Sequence, residues 1–431
     1  MWTNWAGNQR CSPASIAHPF GTDELSAVVR EAVRRGQRVK VAGHGHSFSD
    51  IACTDGTLVL LDRHRRALAL DRDRGRITVE AGMTLHELGT MLWLYGLALP
   101  NLGDIDVQTV AGALATGTHG TGSAYRCIAA QAVAIDLVTA DGDVLTLDAE
   151  RDAATFAAAQ VSLGALGAVA TVTLQCVPAF NLHADEGPMR IEEAVERFDE
   201  LAEANEHFEF FWMPFSPWAI VKRNNRAEGP RRGRSRAREW LDDMFVQNHL
   251  FGALCEVEAR IPQSVPWLNG HLFMPSHVEY VDRSDRVFTT PRKVKFQEME
   301  YSVPRAHARA VVEEVRRVAE HAGVGFPIEV RVCKGDDIPL SMASERDSCF
   351  VAVHVYRGQP YERYFRAVEA VMREVGGRPH WGKLHFQEAS ELEALYPRWQ
   401  QFQDARRRLD PGGVFANAYT DRVLGQTSGQ G

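Results

Sequence analysis

The sequence predicts an α+β protein of two domains, and three observations carry that prediction. Helix-period and strand-period apolar patterns alternate through the first 178 residues. An aromatic strand and well-separated strands at 294–302, 326–332 and 349–356 then follow, with helices at 305–322 and 360–375, the pattern of an antiparallel sheet backed by helices. Two glycine-rich stretches, 43–50 and 101–122, interrupt the first part.

A chain of 431 residues has room for two or three domains with proper cores. Hydrophobic content of 45% and charged content of 24% are those of a globular protein. The net charge of -8 argues against nucleic acid as the main partner. Seven widely spaced cysteines form no Cys-x-x-Cys pair and read as buried thiols in a reducing compartment, so no metal site is expected. The start, Met1-Trp2-Thr3-Asn4-Trp5, has no basic region or apolar core, and no apolar run is long enough to span a bilayer. A soluble, cytoplasmic protein is expected.

The elements follow in chain order. Leu25, Val28, Val29 and Ala32 repeat at helical spacing over 21–36, opened by Thr22-Asp23-Glu24 and stopped by Gly36. A strand at 37–42 runs into the first glycine-rich stretch. Strands at 57–61 and 76–82 and a helix at 84–95 come next. Strands at 131–139 and 143–148 form a hairpin about Asp141-Gly142. After a helix at 152–160, Gly164 to Val177 is a glycine turn into a buried strand, which Pro178 ends. The first domain closes there, at 1–178, and the second spans 179–375. Within the second, Phe208 to Pro214 is the aromatic strand. Lys222 to Arg238 is rich in arginine, and Gly229, Pro230, Gly233 and Ser235 make it a solvated loop in preference to a lipid or partner surface. Residues 376–431 return to glycine, aromatic and basic residues, with a helix at 391–408 and a polar tail that frays after Gly425.

The stretch Gly43-His44-Gly45-His46-Ser47-Phe48-Ser49 replaces strand residues with small, hydrogen-bonding ones. Gly43 and Gly45 let successive N–H groups turn toward an anion at close range, and Ser47 and Ser49 add hydroxyls. A Gly-x-Gly-x-x-Gly fingerprint would need glycine where Phe48 stands, so the usual dinucleotide form fails. A simple turn is the alternative. The second stretch combines Gly103, Gly112, Gly117, Gly120 and Gly122 with Thr109, Thr116, Thr118 and Thr121. Ala111 to Ala115 also reads as a small-residue helix packed on a sheet.

Four separated motifs occur in one order: Gly43 to Gly56, Ala115-Thr116-Gly117-Thr118-His119-Gly120, Ile328-Glu329-Val330-Arg331, and Arg378-Pro379-His380-Trp381-Gly382-Lys383. In these the chain, from about residue 4 to 424, resembles the sugar-1,4-lactone oxidase branch of the vanillyl-alcohol oxidase flavoprotein family. The L-gulono-1,4-lactone oxidases and dehydrogenases are nearest, and alditol oxidases share most of the motifs. The resemblance implies a vanillyl-alcohol oxidase / p-cresol methylhydroxylase-type FAD-binding fold with an α+β cap domain. The FAD-binding domain is 1–178, the cap is 179–375, and 376–431 completes the active site. It implies a covalent histidyl bond from His46 to FAD, with His44 a backbone contributor to the pyrophosphate loop. The implied cofactor-binding set is Gly43, His44, Gly45, His46, Ser47, Gly103, Asp104, Thr109, Gly112, Thr116, Gly117, Thr118, His119, Gly120, Val169 and His380.

The implied reaction is oxidation of the C2 alcohol of an L-gulono-, L-galactono- or D-arabinono-1,4-lactone to an ascorbate-type product, with O2 as acceptor. FAD carries the redox chemistry, accepting hydride at N5, and the protein places and tunes it. Negative charge develops on the alcohol oxygen, so fixed cations help, each by about 10²–10³ in rate. Glu329 and Arg331 alternate on one strand and face one side. Spacing alone favours an ion pair; the resemblance reverses that and gives them the substrate hydroxyls. Lys383 and Arg331 then stabilise the alkoxide, and Glu329 binds and deprotonates the hydroxyl. His380 is a general base by residue type, or a flavin contact or structural residue beside Trp381, and His354 and Tyr356 line the cap or its core. Asp104 stands where alditol oxidases have serine, which counts against an open-chain polyol, and Gly103 would leave space for O2. An alditol oxidase acting at a terminal carbon, a lactone dehydrogenase with a non-oxygen acceptor, and a flavin-binding protein without turnover are the alternatives.

Overall fold

Successive side chains of a strand point to opposite faces, and that parity decides what each sheet can pack against. The computed structural model describes residues 1–273 and 275–427. In its N-terminal part a small parallel sheet orders Ser15–Ala17, Thr57–Leu60 and Val39–Ala42. The helix Thr22–Arg34 buries Leu25, Val29 and Ala32. A five-stranded antiparallel sheet follows, with the hairpin Ala132–Val138 and Val144–Asp148 at one edge, Ala168–Gln175 in the centre, and Arg76–Glu80 and Ala67–Asp71 beyond it.

The middle of the chain builds an eight-stranded antiparallel sheet. Its central strands, in spatial order, are His207–Trp212, Ile328–Cys333, Ser348–Tyr356 and Phe296–Pro304. On one face Phe208, Phe210, Trp212, Val330, Val332, Val351, Val353, Met299 and Tyr301 form an apolar core with Val311, Val315, Phe365 and Val368. These last four lie on the amphipathic helices Ala308–Ala322 and Glu362–Glu374. The opposite parity gives the other face Glu209, Glu329, Arg331, His354, Glu298 and Glu300, all buried. A sheet that buries both faces, one of them charged, requires a polar partner there. That partner is the glycine-rich side of the N-terminal part, which Arg378–Pro379 joins as the sheet's last strand.

Four local expectations change. Gly21, with φ +85, and not Thr22, stands at the first helix's N-terminal cap position, and Glu24 accepts the Phe20 N–H at 2.7 Å. The basic stretch from Lys222 begins inside a paired strand, Trp218–Ala227, so only its later part is a loop. Helices cover much of 236–272, where none was expected. The helix expected over 391–408 is broken: Ala389–Leu392 and Trp399–Leu409 are separate, because Tyr396 precedes Pro397 and takes extended angles. Among the cysteines, Cys11 and Cys53 are half-buried and the other five buried, and all seven are free. No helix among the described residues is long and apolar enough to cross a membrane. The tail expected to fray after Gly425 lies, from residue 428 on, outside the described residues.

Candidate active site

The loop from Gly43 to Ser49 is fixed from both ends of the chain. Phe48 N–H donates to Gly382 O at 2.6 Å, and Ser49 Oγ to Trp381 O at 3.1 Å. Asn4 and Asn8 donate to Ser47 O and Phe48 O at 2.9 and 2.8 Å. Asn417 donates to the carbonyls of Asp50, Ile51 and Cys53. Gly45 has φ +67, which favours glycine. At Gly43 a Cβ would come within 2.2 Å of Thr109 Oγ1, so the two glycine-rich stretches pack at a distance only glycine permits. Thr109 Oγ1 also accepts the Gly112 N–H at 3.2 Å, capping the helix Val110–Ala115.

Between the two stretches runs a narrow cleft lined by Gly43, His44, Gly45, His46, Ser47, Thr109, Gly112, Thr116 and Val169. Lys40, which sequence reading passed over, lies beneath it: its ammonium donates to Phe415 O at 3.1 Å, and burial lowers its pKa to about 8. The cleft opens past His46, Ser47 and Thr116 into a cavity of about 580 Å³. Gly103, Asp104, Thr118, His119, His380, Glu329, Arg331 and Lys383 line that cavity. Gly117 and Gly120 line neither space. Gly117 packs toward Met342, and a Cβ on Gly120 would strike Leu102 O. A Cβ on Gly103 would lie 3.1 Å from His119 O, so the room expected beside it is already bounded by backbone.

Two charged groups occupy the sheet side of the cavity. In the first, Arg331 Nε donates to Glu209 Oε2 at 2.7 Å, and its NH2 group contacts Asp104 and Glu329. Arg292 reaches Asp104 at 2.7 Å, and Lys222 lies 3.4 Å from Glu209. Burial would raise the Asp104 carboxyl, but Arg331 and Arg292 hold it far below the usual range. Glu329 goes the other way. Burial, with Asp104, Glu209 and Glu300 nearby, raises it well above the carboxylate range despite Arg331.

In the second group, Lys383 rests against Glu298, 4.0 Å from Glu300 and 5.2 Å from the centre of the Phe48 ring. Burial opposes its charge, but the two carboxylates raise its pKa and keep it an ammonium. His354 donates through Nδ1 to Pro327 O at 2.7 Å and turns Nε2 toward Glu298 at 3.6 Å. His119 donates through Nδ1 to Gly120 O at 2.8 Å, and its Nε2 meets Glu300 at 3.1 Å. His380 accepts the Gly382 N–H on Nδ1 at 3.1 Å, and burial lowers its pKa to about 3. His46 stacks on Trp5 with centroids 5.2 Å apart, and burial, then His44 and Lys383, lower it to about 4.

Sequence reading missed Glu209, Arg292, Glu298 and Glu300. Only the last two left a signal: carboxylates two apart within an apolar strand, Phe296-Gln297-Glu298-Met299-Glu300-Tyr301, belong on one buried face. The cavity lining also includes Phe211, Phe251, Phe296 and Phe326, of which Phe211 and Phe296 project from the same sheet face as the carboxylates.

Residues 13–148 match the FAD binding domain, and residues 172–423 match D-arabinono-1,4-lactone oxidase. The chain is 42% identical over 428 residues to an L-gulono-1,4-lactone dehydrogenase of Mycobacterium tuberculosis, covering 99% of both. It is 36% identical over 433 residues to an L-gulonolactone oxidase of Bos taurus, covering 98% of this chain and 97% of the other. A cholesterol oxidase from B. sterolicum shares the fold with TM-score 0.80 at 15% identity, over 98% of this chain and 96% of that one. A glycine-lined cleft leading to a charged cavity, in a chain with these matches, is that of an FAD-dependent oxidoreductase, and the chain belongs to the D-arabinono-1,4-lactone oxidase family.

Proposed function

We propose that the protein oxidises the C2 alcohol of an aldono-1,4-lactone, of the L-gulono, L-galactono or D-arabinono series, to an ascorbate-type product. The observation that carries this reading is the division of proton affinity in the cavity wall: Glu329 is pushed toward proton uptake, while Asp104, Glu298 and Glu300 are held the other way. Of these carboxyls Glu329 is therefore the one suited to exchange a proton with the substrate hydroxyl, accepting it when ionised, and Arg331 and Lys383 are the cations that stabilise the oxygen left behind. Asp104 fixes the Arg331 guanidinium from the cofactor side. FAD, when bound, accepts the hydride.

The cleft fits that cofactor because glycine is required at 43 and 45, leaving backbone N–H groups open to a pyrophosphate. His44, Ser47, Thr109, Gly112, Thr116 and Val169 would hold its phosphate and ribose portion, and Gly103, Thr118, His119 and His380 its ring, with Gly117 and Gly120 shaping the wall behind. His46 is the residue for a covalent bond: its depressed pKa leaves the imidazole neutral, with a nitrogen lone pair to offer. Acid precipitation tests this. Yellow colour should stay with the precipitated protein and leave it in His46→Ala.

O2 is the proposed acceptor, as in the oxidase relatives. A dehydrogenase using another acceptor is favoured by one observation, the backbone that bounds the space beside Gly103. Anaerobic mixing with L-gulono-1,4-lactone and, separately, xylitol decides between these readings. The lactone alone should bleach the flavin band, with rapid recovery in air. Slow recovery selects the dehydrogenase, and bleaching only by xylitol would overturn the lactone reading.

A further inference from the structure

The glycine-rich stretches 43–50 and 101–122 contain neither lysine nor arginine, so the cleft between them has no cation of its own. Lys40 is the one lysine or arginine among the described residues that lines it. It lies on the strand Val39–Ala42, just before Gly43, and is 2% exposed. Its ammonium donates to carbonyl oxygens: Phe415 O at 3.1 Å, Leu163 O at 3.4 Å and Gly164 O at 3.5 Å. The charged groups around it act through space, Asp410, Asp421 and Asp50 favouring its charge and Arg406 opposing it. Asp410 is committed to the Val414 and Phe415 N–H groups at 2.7 and 2.8 Å, Asp421 to Arg38 at 3.1 Å, and Arg406 to Gly425 O at 2.8 Å. Burial outweighs the three carboxylates and lowers Lys40 to about 8.

A buried cation is ordinarily answered by an anion in contact with it, and here the protein supplies only carbonyl dipoles. The backbone that supplies them is held in an unusual form. Leu163 and Gly164 have φ +53 and +61, and a leucine in that left-handed region is strained. The turn brings both carbonyls onto the ammonium, and Leu163 and Gly164 line the cleft beside Gly43 and Gly112. A Cβ on Gly164 would meet the ammonium at 3.8 Å, so the charge stands directly behind that wall.

We infer that Lys40 is the counter-charge of the FAD pyrophosphate, its buried ammonium answering that anion at the wall formed by Leu163 and Gly164, so that cofactor binding and Lys40 protonation are coupled. The inference rests on the assignment of FAD to this cleft. An anion beside an ammonium favours the charged form. From about pH 8 to about 9.5 the empty protein therefore gives up the Lys40 proton and the loaded protein retains it. Imidazoles are ordinarily neutral in that window, and Lys383 stays an ammonium because Glu298 and Glu300 raise its pKa.

Calorimetric titration of FAD into apoprotein carrying His46→Ala, which keeps binding reversible, tests this. Proton uptake is read from the dependence of the heat on the ionisation enthalpy of the buffer. At about pH 9 close to one proton should be taken up per FAD, and the dissociation constant should rise about tenfold per pH unit above about pH 8. In Lys40→Arg the guanidinium stays charged, so uptake should vanish and the dissociation constant should stay flat over the same window. Lys40→Met should weaken FAD at least tenfold at neutral pH and take up no proton, with unchanged circular dichroism. FAD bound without proton uptake, or with the same uptake in Lys40→Arg, would overturn this inference alone. Failure of FAD to bind at all would overturn the cofactor assignment beneath it as well.

Discussion

Arg331 Nε donates to Glu209 Oε2 at 2.7 Å, and the two residues are direct cross-strand partners in the eight-stranded sheet. The pair is buried, so neither charge has water to fall back on. Glu209→Ala should cost about 3–5 kcal/mol of stability, the usual result of breaking a buried pair. Urea denaturation followed by circular dichroism checks this, and a loss below about 1 kcal/mol would show that the guanidinium is held by its other contacts.

Lys383 and Glu298 hold each other in the same way on the far side of the cavity. Lys383→Met should lower kcat on the lactone by about 10²–10³ while flavin content stays constant. Adding Glu298→Gln removes the carboxylate left unpaired, so the double variant should regain stability without regaining turnover. Recovery of turnover in the double variant would take Lys383 out of the chemistry.

Gly43→Ala places a methyl group 2.2 Å from Thr109 Oγ1. The two glycine-rich stretches must then separate. The expected outcome is protein with most of its flavin missing, read as the ratio of flavin to protein absorbance, and Gly412→Ala, with open space around it, should leave that ratio unchanged.

His207 donates through Nδ1 to Thr121 O at 2.9 Å, and burial lowers its pKa to about 4 despite that bond. An unfolded histidine takes its proton near pH 6.5, roughly its model-peptide value. Between about pH 6.5 and 4 the unfolded state therefore holds one more proton than the folded state, and stability falls as pH falls. His207→Gln should reduce the slope of unfolding free energy against pH by about one proton in that window. An unchanged slope would mean that other groups carry the acid sensitivity.

Much of this was legible because the periods are clean. Val311, Val312, Val315 and Ala319 repeat at helical spacing and Val330, Val332, Val351 and Val353 at strand spacing, so the cap sheet and its helices follow from pattern alone. Glu329, Arg331 and Lys383 were found through motifs, and they do meet in one cavity. Glu209 and Arg292 could not be found, since each has its meaning only from a residue more than a hundred positions away. The strand at Lys222 was hidden because its charges are answered across the sheet, and the helix Trp240–Leu250 because a five-residue apolar period matches neither the helix nor the strand template.

The loop at His46 is tied down by Trp381, Gly382 and Asn417, more than three hundred residues later in the chain. During synthesis those residues are still unmade or inside the ribosome when the N-terminal sheets have already emerged. The cofactor loop therefore cannot be completed on the nascent chain before those residues have been made and have emerged. A ribosome halted before Asn417 would carry a chain with its first sheets formed and no means of retaining colour.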